Sequence, residues 1–332
     1  ELAHGYAAAL LKLNPDFFFL PHTGGICVAP GDEQACTCVF VQGEPYYLAS
    51  AFPEFEAERT LRPYLDFSKG LESNLDAFEC VAATLGRGAE EARGAAHAAW
   101  AQQQAFRADM HAMGREALAR IESDPSVTGI VLFGRPYNSF ASEANKGIPA
   151  KFASRGVCIL PFDMLPCDDQ PLPEDHNMYW GMGRNLLRAA RFVKDHPQLF
   201  GAFITNFSCG PDSFLLSYFR DMMGRKPSLT LELDNHTADA GLETRVEAFL
   251  DIVRHYRLLE EQTREETAVS AWPFRPAVVE YRGGRAGVRR ASGVLRAKGP
   301  GVHEAIFRLP ADALEDDLSS HAAGDDGIGH AS

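Results

Sequence analysis

Residues 126–134 read Ser126-Val127-Thr128-Gly129-Ile130-Val131-Leu132-Phe133-Gly134. An apolar run with no polar alternation, closed by glycine, is the pattern of a strand covered on both faces, as in a parallel sheet. Reading toward the C-terminus, the same rhythm recurs. Strand 129–133 is followed by a loop at 134–139, helix 146–155, strand 157–161, a long loop, helix 180–195 and strand 200–206. Helix 213–223, strand 228–233 and helix 243–262 complete the series. Four strands separated by helices require βαβ crossovers, which predicts a doubly wound, mainly parallel sheet over residues 126–265.

Reading toward the N-terminus, the Ala-rich stretch 89–119 contains no proline and is built from strong helix formers, so residues 60–125 are expected to be a helical connector. Residues 1–59 read as a partial first α/β unit. Leu2, Tyr6, Leu10 and Leu13 stand at helical spacing, and Asn14-Pro15 ends that helix. Residues 16–21 form a short apolar run bounded by proline, expected as a buried strand, and residues 22–38 form a turn-rich loop. Val39-Phe40-Val41 is expected as a second strand, with a helix opening at residues 42–45. Residues 266–332, with Arg282-Gly283-Gly284-Arg285, Arg289-Arg290 and the acidic Glu315-Asp316-Asp317, are expected to be irregular to disordered. The predicted fold class is therefore α/β, two Rossmann/flavodoxin-like parallel-sheet units joined by long helices.

The whole chain has 332 residues, 32 Lys+Arg against 45 Asp+Glu, a net charge of −13, 45% hydrophobic and 23% charged residues. These proportions are those of packed domains and exclude wholesale disorder or a collagen-like repeat. The acidic balance argues against nucleic acid or an anionic membrane surface as the main partner. No run of about 18 apolar residues and no secretory signal occurs, so the expected location is the cytoplasm. Seven scattered cysteines in such a chain suggest free thiols or metal ligands rather than a disulfide framework. The start at Glu1, directly before a periodic segment, is the pattern expected of a piece of a longer polypeptide.

In open α/β sheets ligands bind outside the carboxyl ends of the strands. Three loops there carry unusual residues: Gly134-Arg135-Pro136-Tyr137-Asn138, Asn206-Phe207-Ser208-Cys209-Gly210-Pro211-Asp212-Ser213 and Asp234-Asn235-His236-Thr237-Ala238-Asp239. Cys209 stands before a helix opened by Pro211, where backbone dipoles are expected to lower a thiol's pKa and favour the thiolate, a nucleophile and a metal ligand. A small buried hydrophobe and a Cys209–His236 nucleophile pair are the alternatives. Cys36 and Cys38 form a C-x-C close to Cys27. With Cys209 they could meet at an iron–sulfur or zinc site, whereas Cys80, Cys158 and Cys167 read as structural. Arg135 is a candidate phosphate or carboxylate clamp, or else a surface or capping arginine. Asp234, His236 and Asp239 favour a structural reading, Asp239 as a helix cap. Neither a G-x-G-x-x-G nor a P-loop is present.

Several strings carry a family resemblance: Gly134-Arg135-Pro136-Tyr137-Asn138, Asn145-Lys146-Gly147-Ile148-Pro149, Ile159-Leu160-Pro161-Phe162-Asp163 and Asn177-Met178-Tyr179-Trp180. To these are added Asn206-Phe207-Ser208-Cys209-Gly210-Pro211-Asp212-Ser213-Phe214 and the stretch from Leu231 through His236 to Gly241. Over about residues 1–260 the chain resembles the 2-hydroxyacyl-CoA dehydratase activase-related proteins, also described as CoA-substrate-specific enzyme activases and as relatives of the double-cubane cluster proteins. The resemblance implies an iron–sulfur cluster of the 4Fe-4S type or larger with Cys38 and Cys209 as metal ligands, although Val39 stands where the family carries proline. It also implies a further cysteine just before residue 1. The same resemblance implies an ATP-hydrolysing activase module as partner, in cis or in trans, with ATP bound only there. Low-potential electrons would then serve reduction or dehydration of an acyl-CoA-type substrate in an anaerobic cytoplasm. Arg135, Tyr137 and Asn138 are the expected cofactor-binding residues. The alternatives are a docking or scaffold domain without a cluster, and a hydrolase or transferase that uses Cys209.

Overall fold

The computed structural model describes residues 2–27, 35–142, 144–172, 177–206, 209–234, 236–270, 294–299 and 302–308. The chain divides into two compact units, Glu1–Leu258 and Leu259–Ser332. The first opens with helix α1 (Leu2–Leu13), over the residues that the apolar spacing predicts. Strands β1 (Phe18–Phe19) and β2 (His22–Gly25) follow, then the short helices α2 (Val39–Gln42) and α3 (Glu44–Ala51). Strands β3 (Thr60–Leu61) and β4 (Tyr64–Asp66) pair in parallel with β1 and β2 respectively.

Two expectations are corrected here. Val39-Phe40-Val41 is helical, because the Cys38 carbonyl accepts from the N–H groups of Val41 (2.9 Å) and Gln42 (3.0 Å). Val39 and Phe40 are 71% and 67% exposed, so no covered face exists to hold a strand there. Residues 60–66, expected as the start of a helical connector, instead supply β3 and β4. Helices α4 (Leu75–Thr84) and α5 (Ala89–Glu122) then form the predicted long-helical stretch and pack on each other.

The larger sheet contains β5 (Gly129–Gly134), β6 (Cys158–Pro161), β7 (Leu199–Asn206) and β8 (Ser228–Leu233), all parallel, in the order β6-β5-β7-β8. Its crossovers carry α6 (Pro136–Ser139) and α7 (Ile148–Ala153), then α8 (Gly181–Asp195), then α9 (Gly210–Met223). Helix α10 (Asp239–Ser270) follows β8. Along β5 the period-2 alternation sends Val131 and Phe133 into one core and Ile130 and Leu132 into another. The first core adds Leu118 and Ile121 of α5, Leu186 and Val193 of α8 and Phe219 of α9. The second adds Phe152 of α7 and Val246 and Phe249 of α10. Helices therefore cover both faces, which is why the strands read as continuous apolar runs.

The second unit holds strands β9 (Val294–Gly299) and β10 (Val302–Arg308), paired antiparallel within the stretch expected to be irregular. The basic residues Arg282 to Arg290 and the acidic Glu315-Asp316-Asp317 lie outside the described residues. No described helix is long and apolar enough to cross a membrane.

Candidate site at the carboxyl edge of the sheet

Strand β5 is followed in the chain by its neighbour β6 on one side and then by β7 on the other, so the topology reverses between β5 and β7. A doubly wound sheet opens a crevice at such a point, outside the carboxyl ends of the strands. Gly134 ends β5 with φ +134°, and a Cβ there would meet Ser139 Oγ and the Ile204 carbonyl oxygen. This close approach folds the chain sharply into α6. Pro136 stands in the first turn of α6, and the Arg135 carbonyl accepts from the N–H groups of Asn138 (2.9 Å) and Ser139 (2.8 Å).

Arg135, Tyr137 and Asn138 therefore project from one tight turn beside the end of β7. There Cys209 is the N-cap of α9 and Asp212 lies in its first turn. Asp212 is 1% exposed. The Thr205 hydroxyl donates to its Oδ2 (2.7 Å), while Oδ1 lies 3.6 Å from Arg135 Nε. Among the described residues, Asp212 Oδ1, Arg135 Nε and both side-chain polar atoms of Asn138 are buried without a hydrogen-bond partner. Asn138 itself is 1% exposed. Buried polar atoms carry a desolvation cost of about 1–3 kcal/mol each when unpaired, which singles out the Asn138 amide, since Arg135 and Asp212 face each other as an ion pair.

The electrostatics correct one expectation. The Cys209 thiol is pushed up from its ordinary value, first by burial and then by the neighbouring Asp212 carboxylate; the helix N-terminus does not prevail. Burial raises Asp212 too, against the opposing Thr205 hydrogen bond and Arg135. The Tyr137 hydroxyl is pushed up to about 12 by burial and by Cys209. Burial and Asp212 thus hold Cys209 toward its thiol form, with the Arg135 guanidinium opposing them.

Cys38 stands on the loop before α2, 7% exposed and close enough to Tyr47 to raise its hydroxyl, after burial and Glu44. This loop is tied to the second sheet through Cys36. The Cys36 N–H donates to the Tyr179 carbonyl (3.1 Å), and its own carbonyl accepts from Gly181 N–H (3.0 Å) at the start of α8. The Trp180 ring lies 6.0 Å from that of Phe214 on α9. Arg135, Tyr137, Asn138 and Cys209 are thus grouped. Cys38 belongs to the adjoining loop, and among the described residues no three His, Cys, Asp or Glu side chains are arranged to hold a metal ion. His236 is exposed in the turn after β8, its N–H bonded to Asp234 Oδ1 (2.8 Å). Asp239 opens α10 and pairs with Lys151 (3.5 Å). The central place of Asp212 and Thr205 was missed by sequence reasoning, although an acid in the first turn after a strand-loop-Pro sequence was the signal.

Residues 1–165 match the family described as CoA enzyme activase uncharacterised domain. This segment belongs to that activase family. No curated protein and no solved structure matches the chain. The activase-family segment contains Cys38, Arg135, Tyr137 and Asn138 together with β5 and β6, and ends before β7 begins. The site is therefore built jointly by the activase domain and by the Cys209–Asp212 half that follows it.

Proposed function

We propose that this chain is the iron–sulfur-binding component of an ATP-driven activase and 2-hydroxyacyl-CoA dehydratase-like system. In this reading it receives low-potential electrons from an ATP-hydrolysing module for reduction or dehydration of an acyl-CoA-type substrate. The observation that carries the reading is the grouping of Cys209 with the buried Arg135–Asp212 ion pair and the unsatisfied Asn138 amide at the topological reversal beside the activase-family segment. Iron–sulfur clusters are held by thiolates converging from several loops. In this reading Cys38, the N-cap of α2, and Cys209, the N-cap of α9, supply two of those ligands.

When bound, the cluster supplies one-electron chemistry at low potential. The chain's own residues bind and orient around it. The first N–H groups of α9 favour negative charge beside Cys209, the Arg135 guanidinium adds a cation, and the Asn138 Nδ2 amide offers donors to a substrate carbonyl. The apolar rim of Val39, Phe40, Tyr179 and Phe214 around these loops suits the burial of the site by a partner module.

Anaerobic reconstitution with iron and sulfide, followed by iron and acid-labile sulfide analysis, tests the reading. The wild-type chain is expected to retain both, and Cys209→Ala and Cys38→Ala to lose them while keeping the native circular dichroism. Equal retention by the double variant would refute the assignment.

A further inference from the structure

Away from the sheet edge, α4 and α5 arch over the body of the first unit and leave a cavity of about 850 Å³. Its origin lies in how α5 is held. In the last third of the 34-residue helix, Gly114 sits where a Cβ would strike the Met164 carbonyl, and Leu118 and Ile121 enter the core. In the first half the body-facing positions are Ala92, Ala96 and Ala99, whose short side chains do not reach the floor formed by Leu165 and Met182. Phe78 and Val81 of α4 close one side. The cavity is thus apolar along the middle of its length, between Phe78 and Trp100, and its volume falls in the range of small-molecule pockets, about 300–1,000 Å³.

One end is polar. Arg107 is half-buried, one helical turn before His111, and has no hydrogen-bond or ion-pair partner among the described residues. Asp163, beside His111, has a buried Oδ1 without a hydrogen-bond partner. Cys27, near Arg107, is already committed, its thiol donating to the Phe67 carbonyl (3.2 Å). At the far end Arg87 is paired with Glu91 (3.5 Å) and supplies no free charge. From Ala92 to Arg107 the groove follows about 22 Å of helix. An unpaired guanidinium at one end of an apolar trough of this length complements an elongated apolar molecule with one anionic head.

We propose that this groove binds an amphipathic carboxylate, its tail along Ala92–Ala99 and its head on Arg107, at a site separate from the Cys209 crevice. The test uses a fluorescent dansyl-undecanoic acid as probe and decanoate, decanol and decylamine as competitors, on the whole chain. Saturable binding is expected, with decanoate displacing the probe at a concentration at least tenfold lower than decanol or decylamine. Ala96→Trp, which fills the trough from an exposed helix, abolishes binding with the circular dichroism unchanged. Arg107→Gln weakens it about tenfold, the loss of one charge-assisted hydrogen bond. Cys209→Ala binds as wild type does, which keeps this result distinguishable from the fate of the iron–sulfur reading. Absence of saturable binding, indifference to both groove variants, or equal displacement by decanol would overturn the proposal.

Discussion

Replacing Gly134 by alanine perturbs the one residue on which the candidate site turns. Its φ of +134° lies in a region that L-residues rarely adopt, and holding alanine there costs about 1–3 kcal/mol. The new Cβ would also meet Ser139 Oγ and the Ile204 carbonyl oxygen. Ser139 can move only by giving up its bonds to the Phe133 (3.2 Å) and Ile204 (3.4 Å) carbonyls, and Ile204 only by opening the β5–β7 ladder. Such overpacking adds about 1–3 kcal/mol, for a total near 4 kcal/mol. In urea titration followed by circular dichroism, with a slope of about 1–3 kcal/mol per molar, the midpoint falls by more than about 1 M. Gly147→Ala is the control: its φ is +68° but its Cβ meets nothing, so only the left-handed cost of about 1 kcal/mol applies. If Gly134→Ala is no more destabilising than Gly147→Ala, the account of how the turn is locked is wrong.

Three further outcomes concern residues elsewhere in the first unit. Lys226, 8% exposed, donates to the carbonyls of Val193 (2.7 Å), Lys194 (3.3 Å) and His196 at the end of α8, so Lys226→Met lowers stability by about 2–4 kcal/mol in the same urea assay. His196 Nδ1 accepts from Gln198 N–H (3.2 Å), and burial holds its pKa below the ordinary value despite Glu122. The unfolded state then binds the proton more readily, so stability is full above about pH 6.5 and falls as pH drops toward the folded pKa. His196→Asn flattens that decline, and an unchanged pH slope would contradict it. Within α5, Gly94→Ala meets open space and stabilises by about 0.8 kcal/mol, whereas Gly114→Ala meets the Met164 carbonyl and destabilises by about 1–2 kcal/mol; thermal melts of the pair check the opposite signs.

The larger sheet was legible in the sequence because both of its faces are covered. Runs such as Ile130 to Phe133 and Leu199 to Thr205 have no other reading once helices are interleaved with them. The first sheet region was less legible. Its strands are two to four residues long, too short for periodicity, and Val39 to Val41 have strand-like side chains but expose them. The sheet edge could be located from loop position alone, which placed Arg135, Tyr137, Asn138 and Cys209 correctly on neighbouring turns. The protonation state of Cys209 could not, since it depends on burial and on Asp212, three residues away in sequence and adjacent in space. The Arg107 groove was equally out of reach, because a gap under alanines exists only once α5 is docked at Gly114.

The most direct measurement of the central claim is the low-temperature electron paramagnetic resonance spectrum of the anaerobically reconstituted chain after one-electron reduction. A reduced-cluster signal that disappears in folded Cys209→Ala is the predicted result. A folded wild-type chain that carries iron and sulfide nowhere, and gives no such signal, would contradict it.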